Sequence, residues 1–409
     1  MTSPTRLSSH LEDLRATAQA GSHADLARLH MPVIMLDEAE PYPPLAMGYT
    51  VFEDAGQSPS SKFQVVPQGG AMGGPVIEYA IWYDWDIQHM YDLEHVWVYL
   101  DAGGQPVRVD ASRHGNRITM EARDGRFQSR ENRAVVYSEA GKHAHWADGD
   151  EMRREAGAYL PAMCGDLAAF EGVHLGNQYC ESGKVTPKAT DHRLAKLQMK
   201  ADAFRPTYRF YPANDELIAL VPWPALDTWI PDRVKHLMED LRHRMPQIRT
   251  IFIDGTEDGG ASLISGPALV PGVRGMLQRL RGAGYWIVLL GDESAASAAG
   301  LLKAAGLQDF FDEHRQIGAS PFAFEAADLG GHAGSSALLL GGTQDTVKSA
   351  RALGLHTAEL VWTRNVPSVP SDAAPEHRFE TPIDFLTLLK SLEEQMAGTA
   401  RTQVAVRSA

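Results

Sequence analysis

Between Asp84 and His95 the chain sets four carboxylates (Asp84, Asp86, Asp92, Glu94) and two imidazoles (His89, His95) into twelve residues. The stretch runs straight into the apolar pattern Val96-Trp97-Val98-Tyr99-Leu100. Ionisable side chains beside a core strand are costly unless each is paired, hydrogen-bonded or bound to an ion. Any fold that holds this stretch must bring compensating groups to it, and a divalent cation is the obvious one. Side chains alternate between the faces of a strand, so Asp92 and Glu94 project together while Leu93, His95 and Trp97 project to the other side. Asp84 and Asp86 pair in the same way if that piece is extended, and His89, in the intervening turn, can close over the same point. The expected ligand set is Asp84, Asp86, His89, Asp92 and Glu94. Such a mixed oxygen and nitrogen site suits Mg²⁺, Mn²⁺ or Ca²⁺, with Zn²⁺ possible. The plainer alternative is a charged surface hairpin. The flanking aromatics Trp82, Trp85, Tyr91 and Trp97 favour a recessed site.

The chain has 409 residues, room for two or three domains. Its formal net charge of −14 argues against a general nucleic-acid or anionic-membrane binder, since both need clustered Lys and Arg. No stretch approaches the roughly 18 continuous apolar residues of a membrane span, and residues 1–30 lack a basic start followed by an apolar run, so a cytoplasmic protein is expected. In that setting Cys164 and Cys180 are expected as free thiols. Residues 1–30 have a helical pattern. Residues 31–245 hold short strands separated by Gly, Asp, Asn and Pro clusters, the spacing of an antiparallel β-sandwich, with helical additions after about 150. Residues 246–395 alternate strand and helix, which predicts a parallel sheet covered by helices. Residues 396–409 are expected to be a disordered tail. The fold class is thus α+β with two domains, a β-sandwich followed by a Rossmann-like α/β domain.

Several motifs in the first part resemble the necrosis- and ethylene-inducing protein family of β-sandwiches. His89-Met90-Tyr91-Asp92-Leu93-Glu94 is similar to that family's His-x-x-Asp-x-Glu core, which helps bind a divalent cation with an upstream Asp, here Asp84 or Asp86. Ser112-Arg113-His114-Gly115 resembles its Ser-x-His-Gly strand end, and Val135-Val136-Tyr137 with Lys142-His143-Ala144-His145 resembles a later segment. A vacuolar-sorting-like β-sandwich family shares some of these pieces. The resemblance covers about residues 30–150. It implies a cation site, with His114 as acid/base or ligand and His143 and His145 lining it. The family's Gly-His-Arg-His opening is replaced here by Asp86-Ile87-Gln88-His89, and its members are secreted toxins.

Ile251-Phe252-Ile253-Asp254-Gly255-Thr256 resembles the first motif of the haloacid dehalogenase superfamily, and the resemblance extends over about 246–365. In register, the family's nucleophilic Asp falls on Phe252, and Asp254 takes the place of the second, acid/base Asp. The motif-two hydroxyl falls on Gly291, the motif-three lysine on Ser320 of Ser320-Pro321, and the motif-four acids on Gly342 and Thr346, beside Asp345. Loss of the nucleophile removes the aspartyl-phosphate route, so the expectation is a pseudoenzyme domain that serves as scaffold and homo-oligomer contact. The expected function is a divalent-metal-dependent hydrolase acting on a small polar substrate in the sandwich half, with His114 as general acid/base. Two alternatives are a cation-dependent glycan or lipid head-group binding module and a phosphatase with an atypical site at Asp254.

Overall fold

The structure is a computed structural model, and it describes residues 3–18, 23–68, 73–256, 263–265, 268–291, 298–316, 323–331, 333–361 and 374–408. The chain divides into two compact units, Met1–Pro187 with Leu194–Arg244, and Lys188–Arg193 with Met245–Ala409.

The first unit is built on two sheets. The larger joins β2 (Ala46–Phe52), β3 (Gly73–Trp85), β4 (His89–Asp101), β5 (Pro106–Arg113) and β6 (Asn116–Thr119) as an antiparallel meander. The smaller carries β1 (Val33–Asp37), β7 (Arg133–Ser138), β8 (His145–Trp146) and β10 (Phe210–Pro212). Ile34, Ala134 and Val136 of the smaller sheet share one apolar cluster with Tyr79, Ile81, Tyr83, Val96 and Val98 of the larger. Alternate residues of β4 obey the period of two, because Trp97 and Tyr99 join a separate cluster on the opposite face with Phe52, Val65 and Val76.

Neither sheet is purely antiparallel, contrary to the expectation from sequence. β1 lies parallel to β7, β11 (Ala219–Pro222) lies parallel to β2, and the two-residue β9 (Gly172–Val173) lies parallel to the start of β4. Each parallel pair joins segments far apart in sequence, as crossover connections require. Among the helices, α1 covers Ser3–Arg15 and α2 Trp223–Arg244, the latter carrying Pro231 inside it.

The second unit is a six-stranded parallel sheet. Its strands along the chain are β12 (Thr250–Asp254), β13 (Trp286–Gly291), β14 (Glu313–Gln316), β15 (Ala337–Leu340), β16 (His356–Leu360) and β17 (His377–Phe379). Their spatial order is β14-β13-β12-β15-β16-β17, the 3-2-1-4-5-6 order of doubly wound α/β folds. Both faces are buried. Ile251, Ile253, Leu338 and Leu340 pack with α3 (Val273–Gly282) and α5 (Pro382–Ser408), while Phe252, Val288 and Leu339 pack with Val347 and Ala350 of α4 (Gln344–Ala352). The segment from 396 to Ser408, expected to be a disordered tail, continues α5 as helix.

Candidate functional site

The β3–β4 hairpin decides which of the clustered charges can meet. Trp85 pairs with Met90 and Tyr83 with Asp92, so Asp92 and Glu94 emerge on the core face beside Tyr83 and Ile81. Asp84 falls on the other face. There it accepts two hydrogen bonds from the Arg233 guanidinium of α2 (2.9 and 2.6 Å) and one from Trp82 Nε1 (2.9 Å). It is the anion of a buried ion pair and does not belong with the other carboxylates, a correction to the expected ligand set.

Asp86 and Asp92 do converge, and the third member is His143. One ligand atom from each of the three lies within 4.8 Å of the others. His143 sits in the loop between β7 and β8, in the left-handed region (φ 58°), and is fully buried. Its ring stacks on Tyr83 with centroids 3.8 Å apart. Nδ1 faces Asp92 Oδ2 at 3.5 Å and Nε2 faces Glu40 Oε1 at 3.6 Å, both too long for good hydrogen bonds. The loop is clamped on two sides: Gly141 N donates to Glu40 Oε2 (2.6 Å) and Ile87 N donates to Gly141 O (2.7 Å). Gly141 has φ 69°, and a Cβ there would meet Ile87 at 2.9 Å and Cys164 Sγ at 3.1 Å, so only glycine fits.

The electrostatics follow from this packing. Burial pulls the His143 pKa down, but Asp92 and Glu40 outweigh it and hold it at about 10. Burial likewise favours protonated Asp92, yet His143, His89 and Lys142 keep its carboxyl well below the usual range. Glu94, partly buried and repelled by Asp92, is pushed up to about 8 and receives a hydrogen bond from Ser112 Oγ. Lys142 Nζ donates to Asp86 Oδ2 (2.7 Å) and Gln88 N to Asp86 Oδ1 (2.5 Å). Lys142, protonated His143 and any bound cation therefore compensate the same buried carboxylates.

The remaining predicted residues are elsewhere. His89 stands at the edge, its Nε2 4.0 Å from Asp86 Oδ2. His95 is buried on the opposite face, stacked on Trp97, as strand parity requires. His114 and Gly115 both have positive φ (49° and 77°) and form the two-residue turn between β5 and β6. His114 Nε2 lies 3.3 Å from Glu139, which raises its pKa, and its side chain is half exposed; it is not among the ligand atoms that meet at Asp86, Asp92 and His143. His145 is fully buried, with neither ring nitrogen hydrogen-bonded to a side chain, and burial followed by the His143 charge lowers its pKa to about 3. Glu40 and Lys142 were not expected as partners of the cluster. In the second unit Asp254 is buried at the end of β12, where its Oδ1 accepts from Thr256 N (2.9 Å) and Thr256 Oγ1 (2.6 Å). Phe252 is buried against Phe324. Ser320 and Pro321 lie outside the described residues.

No family model matches this chain, and no curated protein matches it. Solved structures similar to it include a dehalogenase captured with an intermediate complex (14% identity, 59% of this chain and 89% of that one, TM-score 0.26). A haloacid dehalogenase-like family hydrolase from Streptococcus pneumoniae is similar over 51% of this chain and 85% of its own, at 17% identity and TM-score 0.24. A protein described as a predicted phosphoglycolate phosphatase from Haemophilus somnus 129pt is similar at 18% identity over 38% of this chain and 67% of its own, TM-score 0.26.

Proposed function

We propose that the first unit, read as a β-sandwich, is a divalent-metal-dependent hydrolase with its site at Asp86, Asp92, Glu94 and His143. The observation that carries this reading is the convergence of two carboxylates and a fully buried imidazole within 4.8 Å. The donors are the Asp86 and Asp92 carboxylates with the His143 imidazole, which gives up its proton to an entering cation, and such a carboxylate-rich set suits Mg²⁺, Mn²⁺ or Ca²⁺. A cation bound there would polarise a substrate oxygen or acidify a water. Burial and the Asp92 charge raise the Glu94 pKa while the Asp92 carboxyl is held low, the separation that an acid/base pair needs, so Glu94 is assigned to proton transfer beside the cation and not to holding it. Glu40 and Lys142 hold His143 and Asp86 in place. The second unit is read as a haloacid dehalogenase-like domain that serves as scaffold, because Phe252 fills the core where a nucleophile would stand.

Elemental analysis of the purified protein is the test. About one equivalent of Mg²⁺, Mn²⁺ or Ca²⁺ is expected, and it should be lost on Asp92→Asn with His143→Ala. Absence of any stoichiometric cation after incubation with all three would reject the reading. A hydrolase substrate panel with and without chelator follows. Chelator-sensitive turnover supports an enzyme. Cation binding without turnover points to a glycan or head-group binding module, and phosphoester hydrolysis abolished by Asp254→Asn would return the chemistry to the second unit.

A further inference from the structure

The charged hairpin that supplies Asp86 and Asp92 also builds a second cluster, of different chemistry. His89, Glu171 and His174 each offer a ligand atom within 4.8 Å of the others. Glu171 and His174 flank β9, whose Gly172 and Val173 pair in parallel with His89 and Met90. Glu171 N donates to Gln88 O (2.9 Å), which seats the segment against the hairpin turn. The His174 carbonyl accepts from Tyr91 Oη (2.9 Å) and Asn177 Nδ2 (2.8 Å), which fixes the other end. The three side chains are thus placed by backbone pairing.

Two further observations point to a ligand. His89 Nδ1 is 2.9 Å from the carbonyl of Tyr91, a residue in the left-handed region (φ 54°). That contact makes Nδ1 the protonated nitrogen and leaves Nε2 with its lone pair free, the arrangement that orients metal-binding histidines. His174 Nδ1 is buried without a hydrogen-bond partner, and the nearest carboxylate oxygen, Glu171 Oε2, is 3.6 Å away. That gap is close to the roughly 3.3–3.4 Å between neighbouring ligands of a tetrahedral ion with bonds of about 2.0–2.1 Å. The His89 and His174 rings lie 4.6 Å apart, centroid to centroid, tilted by 32°.

We propose that His89, Glu171 and His174 form a separate site for a borderline transition-metal ion of the Zn²⁺, Co²⁺ or Fe²⁺ class. Two imidazoles and one carboxylate select such ions over Mg²⁺ or Ca²⁺, and three protein ligands leave a coordination position open. Glu171 is half exposed and the His174 side chain is about one-third exposed, so an ion reaches the site from solvent. His89 Nε2 also lies 4.0 Å from Asp86 Oδ2, so the two clusters are neighbours, but they share no ligand.

The test uses Co²⁺ and its visible absorption on the full chain, in a His377→Ala background that silences the His356, Glu376 and His377 cluster of the second unit. The background protein is expected to bind one more equivalent of Co²⁺ than the same protein carrying Glu171→Gln and His174→Ala. The shape-conserving Glu171→Gln alone should weaken that equivalent by more than about tenfold, and Asp92→Asn should leave it in place. Equal Co²⁺ stoichiometry and affinity with and without the Glu171→Gln change would overturn the proposal. Loss of the equivalent in Asp92→Asn but not in Glu171→Gln would also overturn it, by assigning the ion to the Asp86 cluster.

Discussion

Asp84 and Asp92 have the same chemistry and lie eight residues apart in sequence, yet they do unrelated work because the hairpin puts them on opposite faces. Asp84 is paired with Arg233 in a nearly dry setting, their side chains 14% and 5% exposed. Removing one member of a buried pair strands the other charge, at a cost of about 3–5 kcal/mol. Arg233→Met should therefore lower the denaturation midpoint strongly, while the cation content of the protein stays unchanged. A loss of cation together with the stability would show that Asp84 takes part in the site after all. At the same scale, burial pushes the Cys164 thiol well up from its ordinary value, and Cys180 is partly exposed. A thiol reagent at pH 8 should modify at most one cysteine in the native protein and two after unfolding, counted by mass.

Elements explain what was legible and what was not. The convergence of Asp92 and Glu94, and the exclusion of His95, follow from the two-residue period of one strand and could be drawn from the text of the chain. The exclusion of Asp84 needed the hairpin register, which the length of the turn hides. Glu40 and Lys142 come from loops dozens of residues away; Lys142 belongs to a motif that resembles a known segment, but nothing in the sequence pairs it with Asp86 or Glu40 with His143. Glu171 and His174 left one trace, a Glu-x-x-His spacing around a Gly-Val pair, which is unremarkable until β9 docks on β4. The His114-Gly115 pair resembles a functional motif, but its physical demand is a turn with two positive φ angles. The alternating pattern of the second unit is plainer, because its central strands β12, β13 and β15 are buried on both faces and almost continuously apolar, whereas the edge strand β14 is polar throughout.

The β7–β8 loop is the element on which the candidate site depends most. Gly141→Ala puts a methyl into Ile87 and Cys164 and strains a left-handed residue. The expected cost is about 1–3 kcal/mol from overpacking alone. Displacement of His143 should also weaken cation binding, read by calorimetry. A Gly141→Ala protein with unchanged stability and cation affinity would mean that the loop is less tightly held than its hydrogen bonds indicate.

At the scale of the whole molecule, the two units have separate apolar cores, so conditions can act on one and spare the other. α1 offers a direct case within the first unit. His10 stacks on Trp229 (5.0 Å) and meets His236 edge-on (4.6 Å). Burial, then the neighbouring His236 and Arg233 charges, lower its pKa from 6.5 to about 4. Between those values the unfolded chain binds a proton at this residue and the folded chain does not. Stability therefore falls as pH drops from 6.5 towards 4, and this group contributes no pH dependence above that window. In His10→Gln the term vanishes, so the difference in unfolding free energy between pH 7 and pH 4.5 should be smaller than in the parent. Hydrogen exchange would localise the effect. Acidification should loosen α1 and the facing part of α2 in the parent, while the β12–β15 amides of the second unit keep their protection. If His10→Gln leaves the pH slope unchanged, or if the second unit opens first, the acid sensitivity of the protein lies outside α1.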